Sequence, residues 1–305
     1  MPEEFLTICL NPVIQKTILL PQLVENQVNR SNEYFTDASG KGVNVTRVLT
    51  QLGKNVIHLT QLGGRFREYF LELANQDQLQ IRWAESFSEI RSCYTLINQA
   101  RNTSTEIVEE ARAIAAGTES RVWALFQDLL PHCSMIIISG TKAAGFSDKI
   151  FPEMVEAAKK QGKLVLVDYR GKDLLNSIQF RPDFIKPNFQ EFVTTFFPEV
   201  TGQVTSTVES TTAKVKAKME QLYHDFGIIS ILTRGSQEIL YVNAGAVQSI
   251  SPPKITPVNT IGCGDAFAAG FAASWCHEET LLPALHKGLE CAQRNARLIR
   301  PGVIK

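Results

Sequence analysis

The sequence predicts an α/β fold with a mostly parallel central sheet that is covered by helices on both faces. Short apolar runs, which are typical of buried strands, alternate along the chain with segments whose apolar residues recur at helical spacing. The 305 residues are enough for a large buried core. No internal repeat, low-complexity tract or flexible linker interrupts the pattern, so we expect one continuous domain.

The strands predicted for the main sheet are short and mostly apolar, as in sheets buried on both faces. They are Phe5–Leu10, Val56–Leu62, Met135–Ser139, Leu164–Asp168, Phe184–Lys186 and Ile228–Thr233. Two sets of apolar residues at helical spacing predict helices between strands: Val45, Val48, Leu49 and Leu52, and Val122, Leu125, Phe126, Leu129 and Leu130. In such folds ligands bind at the carboxyl ends of the strands.

Two regions, about residues 13–36 and 82–105, break this alternation. Both carry short strand-like pieces, Thr17–Leu20 and Cys93–Ile97, among polar residues. They are too polar for the central sheet, so we predict a small accessory sheet that covers a site. Ordinary surface hairpins are the alternative.

The composition argues against several partners. Lys plus Arg and Asp plus Glu both number 31, so the net charge is zero, and no block of like charge stands out. Binding to nucleic acid or to an anionic membrane is therefore not expected. The six cysteines are dispersed without a C-x-x-C pair, which favours free thiols in the cytoplasm. We see no secretory signal, and the apolar runs are too short to span a bilayer.

The most informative stretch is Asn259 to Gly270, which reads NTIGCGDAFAAG. Backbone N–H groups of Gly262, Cys263 and Gly264 at the start of a helix could bind an anion. Asp265 places a carboxylate beside them, where it could act as the base in phosphoryl transfer to an alcohol. The alternative is that Asp265 caps a helix beginning at Ala266.

Two further stretches combine turn residues with polar side chains. Gly40-Lys41-Gly42-Val43-Asn44 could hold a hydroxylated or phosphorylated ligand, with Lys41 as the positive charge, although it lacks the P-loop spacing. A turn with a solvated lysine is the alternative. In Lys186-Pro187-Asn188-Phe189-Gln190-Glu191, Asn188 and Glu191 could order waters around Mg²⁺ or form a capping box, and both are compatible.

A single arginine, Arg91, lies in the predicted accessory sheet, and arginine can grip a phosphate with two parallel hydrogen bonds. A surface arginine is the alternative. The turns at Ser139-Gly140 and at Thr233-Arg234-Gly235 are weak signals when each is taken alone.

In this order the motifs resemble the PfkB (ribokinase-like) carbohydrate kinases, from Asn11 to about Gly302. The chain looks most similar to the 1-phosphofructokinase and tagatose-6-phosphate kinase branch, through Asn11-Pro12, Gly40 to Leu49, and Arg91 before Ser92-Cys93. The resemblance implies a ribokinase-like three-layer α/β/α sandwich formed by residues 1–305. It also implies a β-sheet lid, here about 13–36 and 82–105, which in many members helps to form a dimer.

The resemblance also implies roles for particular residues. Asp265 would be the catalytic base, and Gly262, Cys263 and Gly264 the anion hole. The sugar-phosphate site would include Gln15, Gly40, Lys41, Asn44 and Arg91. The residues near ATP would be Lys186, Asn188, Glu191, Thr233, Gly235 and Asn295. Mg²⁺ would be held near Glu191 through water.

Several positions depart from the pattern of that branch, mostly on the sugar side. Gln15 stands where an aspartate usually binds sugar hydroxyls, and Val108 stands where an asparagine is usual. Lys142 and Arg170 add positive charges near the expected site. The sequence therefore predicts an ATP-dependent kinase for a phosphorylated ketose. A catalytically weak sugar-phosphate-binding or regulatory protein, or a kinase for a free sugar or nucleoside, remains as an alternative.

Overall fold

The computed structural model describes residues 5–200, 208–278 and 280–305. The strands in this part of the chain are β1 (Phe5–Cys9), β2 (Val13–Leu20), β3 (Glu33–Ser39), β4 (Val56–Leu62), β5 (Gln80–Glu85), β6 (Arg91–Asn98), β7 (Thr103–Val108), β8 (Met135–Ser139), β9 (Leu164–Asp168), β10 (Phe184–Ile185), β11 (Ile229–Leu232), β12 (Ile239–Asn243) and β13 (Ala246–Ile250). The α-helices are α1 (Lys41–Gln51), α2 (Arg67–Gln76), α3 (Thr118–Leu129), α4 (Ile150–Lys160), α5 (Lys172–Ser177), α6 (Phe189–Phe196), α7 (Val208–Phe226), α8 (Cys263–Glu278) and α9 (Leu281–Ala296).

The main sheet has nine strands in the order β13-β12-β11-β10-β9-β8-β1-β4-β5. The pairs from β11 to β5 are parallel, whereas β12 and β13 add an antiparallel hairpin at one edge. This confirms the predicted α/β fold with a mostly parallel sheet. The hairpin is an addition, since the sequence analysis assigned no strand beyond Thr233.

Helices cover both faces of the main sheet because successive side chains of each strand point to opposite sides. Leu6 and Ile136 lie in a core beneath α3, α4, α6 and α7, whereas Phe5 and Ile137 lie in a core beneath α1, α8 and α9. The result is the predicted three-layer α/β/α sandwich. Within the described ranges, no helix combines the length and apolarity needed to cross a membrane.

The second sheet, which we call the lid, has four strands in the order β3-β2-β6-β7. Its strands span residues 13–20, 33–39, 91–98 and 103–108, rather than about 13–36 and 82–105. The difference arises because Gln80–Glu85 pairs in parallel with β4 as the edge strand of the main sheet. The polar residues of Gln80–Glu85 do not indicate a strand of the main sheet. Ile81 and Trp83 are the apolar residues that pack on the core beneath α2, and they are only partly buried.

Candidate active site

A cavity of about 930 Å³ opens where the main sheet meets the lid. Its floor includes Asp168, which ends β9, and Lys186, which follows β10, so it lies at the carboxyl ends of parallel strands. It receives every residue that the sequence analysis placed in the site except Asn295. Those residues are Gln15, Gly40, Lys41, Asn44, Arg91, Lys186, Asn188, Glu191, Thr233, Gly235, Gly262, Cys263, Gly264 and Asp265.

The carboxylate of Asp265 lies at the junction of the site. The side chain is only 5% exposed, and its Oδ2 accepts a hydrogen bond of 2.8 Å from Asn44 Nδ2. Burial raises the pKa of Asp265 to about 6, against the opposing effects of Lys41, Asn44 and Lys186. Helix α8 begins at Cys263, so Asp265 lies inside the first turn and not at a cap before Ala266. A carboxylate with this pKa is largely ionised at neutral pH and can still accept a proton.

The turn before α8 lines the cavity, and within it Cys263 N donates to Thr260 O at 3.3 Å. Gly262 has a positive φ of 81°, and a Cβ there would lie 2.8 Å from the backbone N of Gly302. Only glycine avoids both the strain and the clash. A Cβ built on Gly264 would lie 3.6 Å from Lys186 Nζ, so an ammonium stands beside the loop. Helix dipole, N–H groups and lysine together favour an anion there.

Three carboxylates and two lysines form a compact charge cluster beside this loop. Lys41 Nζ lies 3.2 Å from Glu191 Oε1 and 3.6 Å from Asp168 Oδ1, and Lys186 Nζ lies 3.0 Å from Asp168 Oδ2. Burial lowers the pKa of Lys41, but Asp168, Glu191 and Asp265 outweigh that effect and raise it above its usual value. Lys41 is therefore charged, and although its side chain is 39% exposed, its ammonium group is paired with two carboxylates.

Asp168 was not among the predicted site residues, although it lies at the centre of this charge cluster. Burial opposes its charge, but Lys186 and Lys41 lower its pKa below the usual value, so it is ionised. One signal in the sequence pointed to it, because Asp168 is the polar last residue of the buried strand Leu164–Asp168. The carboxyl end of such a strand is where a functional side chain is expected.

Helix α6 begins with the capping box that the sequence allowed. Asn188 Oδ1 accepts from Glu191 N at 2.8 Å, and Glu191 Oε2 accepts from Asn188 N at 3.0 Å. The same glutamate contacts Lys41 through Oε1, so the cap also presents a carboxylate to the cavity. Asp168 Oδ1 is buried and makes no hydrogen bond.

These oxygen atoms fit Mg²⁺ that arrives with a nucleotide. Mg²⁺ prefers carboxylate and phosphate oxygens and keeps several waters. Within the described residues, no group of three or more His, Cys, Asp or Glu side chains could hold a metal alone. Phosphate oxygens and water would therefore complete the coordination, with Glu191 acting through water.

The lid end of the cavity is less tightly held. Gln15 is buried, and its Nε2 donates to Thr95 Oγ1 at 2.9 Å. Arg91 is half-buried; its Nη1 donates to the carbonyl oxygen of Glu109 at 3.2 Å, and its Nε is buried without a partner. Lid residues that the sequence analysis did not assign to the site also line this end: Val13, Cys93, Glu106 and Val108.

The opposite end of the cavity is mostly apolar and carries Thr233 and Gly235 at one side. Thr233 follows β11, and its carbonyl oxygen accepts from Phe189 N at 2.9 Å. Residues between β13 and α8 and on α9 form the rest of the wall, and the sequence analysis did not find them. They include Pro252, Pro253, Ile255, Pro257, Leu289, Ala292 and Ala296.

Three residues differ in place from the sequence-based expectation. Asn295 lies behind the cavity wall, where Nδ2 donates to Ile261 O at 2.9 Å and Oδ1 accepts from Gly302 N at 2.7 Å. Lys142 forms ion pairs with Asp173 and Asp148 and does not line the cavity, nor does exposed Arg170. Neither charge is therefore added to the site.

A buried carboxylate, a glycine turn at a helix N-terminus and two lysines line one cavity, which is the set of groups that a phosphotransferase acting on an alcohol needs. The model of the pfkB family of carbohydrate kinases matches residues 8–297, and the chain belongs to that family. It is thus a sugar kinase with the ribokinase-like architecture expected from its motifs.

Similarity to known proteins extends over nearly the whole chain. The chain is 28% identical to tagatose-6-phosphate kinase from Staphylococcus epidermidis over 294 residues, which covers 95% of this chain and 91% of that protein. Possible 1-phosphofructokinase from Thermotoga maritima superposes with a TM-score of 0.86 at 20% identity, covering 98% of this chain and 93% of that one. Phosphofructokinase-2 from Escherichia coli gives 0.83 at 18% identity, covering 98% and 94%.

Proposed function

We propose that this kinase transfers the γ-phosphate of ATP to a hydroxyl group of a ketose that already carries a phosphate, of the fructose-1-phosphate or tagatose-6-phosphate type. The observation that carries the proposal is the position of Asp265. It lies between the anion-binding loop on one side and a lid end that presents Arg91 on the other. The similarity of the chain to tagatose-6-phosphate kinase and to possible 1-phosphofructokinase supports the same substrate class.

In the proposed reaction, the substrate hydroxyl oxygen forms a bond to the γ-phosphorus while the bond from phosphorus to the ADP oxygen breaks. Asp265 accepts the hydroxyl proton late, because the transition state for phosphoryl transfer is loose. The N–H groups of Gly262, Cys263 and Gly264 stabilise the charge on the phosphoryl oxygens. Burial raises the pKa of the Cys263 thiol to about 11, so the side chain adds no negative charge to the loop.

We place the nucleotide at the apolar end, with its base against the Pro252–Pro257 wall and its phosphates directed toward Lys186. The cavity is lined by four carboxylates and four cations, so it does not by itself neutralise a triphosphate; they are Glu106, Asp168, Glu191 and Asp265, and Lys41, Arg91, Lys186 and Lys254. Bound Mg²⁺ would supply the missing positive charge. Asn188 and Glu191 would orient its waters, and Thr233 and Gly235 would contact the nucleotide.

We assign the existing phosphate of the substrate to Arg91. The arginine is the lid cation that lines the cavity in the described structure, and its buried Nε is free to donate. Lys41 stands between both ends and can contact either phosphate. Asn44 has one Nδ2 hydrogen left for a sugar hydroxyl, because the other is directed at Asp265.

The test is ADP release over a panel of ketose phosphates, the corresponding free sugars and nucleosides, with MgATP. We expect turnover with at least one ketose phosphate and at least about tenfold weaker turnover with its free sugar, since a charged hydrogen bond contributes about 1.5–3 kcal/mol. Turnover with only free sugars or nucleosides would contradict the proposed substrate class and show that the enzyme phosphorylates an alcohol that carries no phosphate. Calorimetric binding of phosphosugar without turnover would support the regulatory alternative.

We further propose a homodimer formed through the lid, in the cytoplasm. Strand β7 is an open edge of the lid, and Ile107 and Tyr34 are exposed large side chains on this sheet. The six cysteines all lie in the described part of the chain and form no disulfide there, which supports a reducing compartment. Light scattering should give twice the mass of 33.9 kDa, and Ile107→Glu should restore the monomer. A monomeric wild-type protein at micromolar concentration would refute the dimer.

A further inference from the structure

Arg47 is almost completely buried one turn after Asn44 on helix α1. Its exposure is 2%, and its guanidinium reaches four separate parts of the chain. Nη1 donates to Asn44 Oδ1 at 3.0 Å and to Pro301 O at 3.2 Å, and Nε donates to Asp77 Oδ2 at 2.8 Å. Nη2 donates to the carbonyl oxygen of Ala38. Arg47 does not line the cavity.

These contacts determine which way the Asn44 amide points. A guanidinium has only donors, so the Asn44 atom that faces Arg47 must be the oxygen. Ser39 Oγ lies 3.0 Å from the same oxygen and donates to it as well. The NH₂ group is then the end that faces Asp265 Oδ2, at 2.8 Å. Rotation of the amide by half a turn would place its oxygen against the carboxylate, which is repulsive.

We propose that Arg47 is a positioning residue that locks the Asn44 amide with its NH₂ group toward Asp265 and so holds the base in its reactive, ionised form. The proposal rests on the proposed function, because it assigns Asp265 the role of base. It adds a residue outside the cavity to the catalytic arrangement.

The other charged and titratable groups near Asp265 come from different elements. Lys41 lies on α1, Asp168 ends β9, Lys186 follows β10, and the neutral thiols of Cys9 and Cys263 complete the surroundings. None of them contacts Arg47. A substitution at Arg47 therefore changes the base through Asn44 and leaves these groups in place.

Arg47 has charged neighbours of its own. Asp77 also accepts from Arg300, which in turn contacts Asp37. His58 is buried nearby, and burial together with the charge of Arg47 lowers its pKa to about 3, so it is neutral. Arg300 thus offers a matched control, since it shares Asp77 with Arg47 but makes no contact with Asn44.

The experiment compares Arg47→Met, Arg47→Lys and Arg300→Met. A hydrogen bond to a carboxylate favours its charged form, so losing it should raise the midpoint of the acid limb of kcat/KM by about one pH unit in Arg47→Met. We expect kcat at pH 6.5 to fall about threefold, because a one-unit rise of the pKa lowers the ionised fraction of the base by that factor, while KM for ATP stays nearly constant. Arg47→Lys keeps the positive charge but loses the planar set of guanidinium donors, so the midpoint of the acid limb should also rise in this variant. Arg300→Met should leave the midpoint unchanged.

A titration of the ligand-free protein gives a readout that does not depend on activity. The ¹³C signal of the Asp265 carboxyl, identified by its loss in Asp265→Asn, should titrate about one unit higher in Arg47→Met than in the wild type. If no substrate is turned over, the proposed function fails but this titration still tests the positioning. If Arg47→Met does not fold, Arg47→Lys and Ser39→Ala replace it. Midpoints equal to that of wild type in the folded Arg47 and Ser39 variants would overturn the proposal, as would an equal shift in Arg300→Met.

Discussion

At the base end of the cavity, Asp265 and Asp168 are almost fully buried, and each has a partner on a different element of the core. At the lid end, Arg91 is half-buried with an unpartnered Nε, and every residue of the adjacent strand β7 is exposed. Buried polar groups that are paired with partners from other elements hold one geometry, whereas exposed groups adapt to what binds. We therefore expect substitutions at the base end to change the rate of the chemical step, and substitutions at the lid end to change the binding of the sugar.

Replacing the base should have the largest effect on rate. Asp265→Asn keeps the shape and an acceptor for Asn44 but cannot accept the proton, so kcat should fall about 10³-fold while KM for ATP changes little. ADP release with the best ketose phosphate measures it. The exposed Asp128→Asn is the matched control and should behave as wild type. If kcat of Asp265→Asn fell by less than about tenfold, Asp265 would not be the base.

The same substitution should stabilise the protein. The folded-state pKa of Asp265, about 6, lies above the ordinary value of 3.8 for an aspartate, so the folded state binds the proton more tightly than the unfolded state does. The contribution of protonated Asp265 to the free energy of unfolding is fully present below about pH 4, and it is lost as the pH rises through about 6. Above that pH, Asp265→Asn should be more stable by about 3 kcal/mol, and the difference should vanish near pH 4. Urea unfolding at pH 4, 6 and 8 measures it; a difference independent of pH would contradict this.

At the lid end, Arg91→Met should act on binding more than on chemistry. Loss of a charged hydrogen bond of about 1.5–3 kcal/mol predicts a KM for the ketose phosphate that is about 10- to 100-fold higher, with kcat within a few-fold of wild type. Arg101→Met, which removes an exposed arginine from the turn between β6 and β7, should have no effect. An unchanged KM in Arg91→Met would show that Arg91 does not bind the phosphate of the substrate, and it would favour an unphosphorylated substrate.

The smallest effect is expected at Gln15. Gln15→Met removes an amide that contacts Thr95 and faces the cavity, and one neutral hydrogen bond of about 0.5–1.5 kcal/mol predicts a two- to tenfold rise in KM for the sugar. Steady-state kinetics with Gln99→Ala, at an exposed lid turn, as control would measure it. If KM does not change, Gln15 serves only to hold Thr95.

The main sheet and the base end could be predicted because their signals are local. An apolar run such as Met135–Ser139 predicts a buried strand from its own residues. The Gly262–Asp265 turn likewise has its glycines and its carboxylate within four consecutive residues. The lid boundary failed where Gln80–Glu85 pairs with a strand of the main sheet, because such a pairing depends on a partner some twenty residues earlier.

The contacts of Asp168, Asn295 and Arg47 escaped sequence reasoning for a similar reason. Asp168 acquires its role only when Lys41 and Lys186 are brought to it. Asn295 has a side chain that could bind a ligand, but its amide forms hydrogen bonds with the backbone of Ile261 and of Gly302 instead. Long-range polar contacts of this kind are fixed by topology, which a single sequence does not display.

The turn at Pro301–Gly302 contacts three residues at or behind the cavity wall: Arg47 through a carbonyl oxygen, Asn295 through a backbone N–H, and Asn44 by close packing. Arg47 and Pro301 are 254 residues apart along the chain. Because contacts this distant in sequence form only after a large loop has closed, we expect this end of the cavity to be among the slower parts of the molecule to fold.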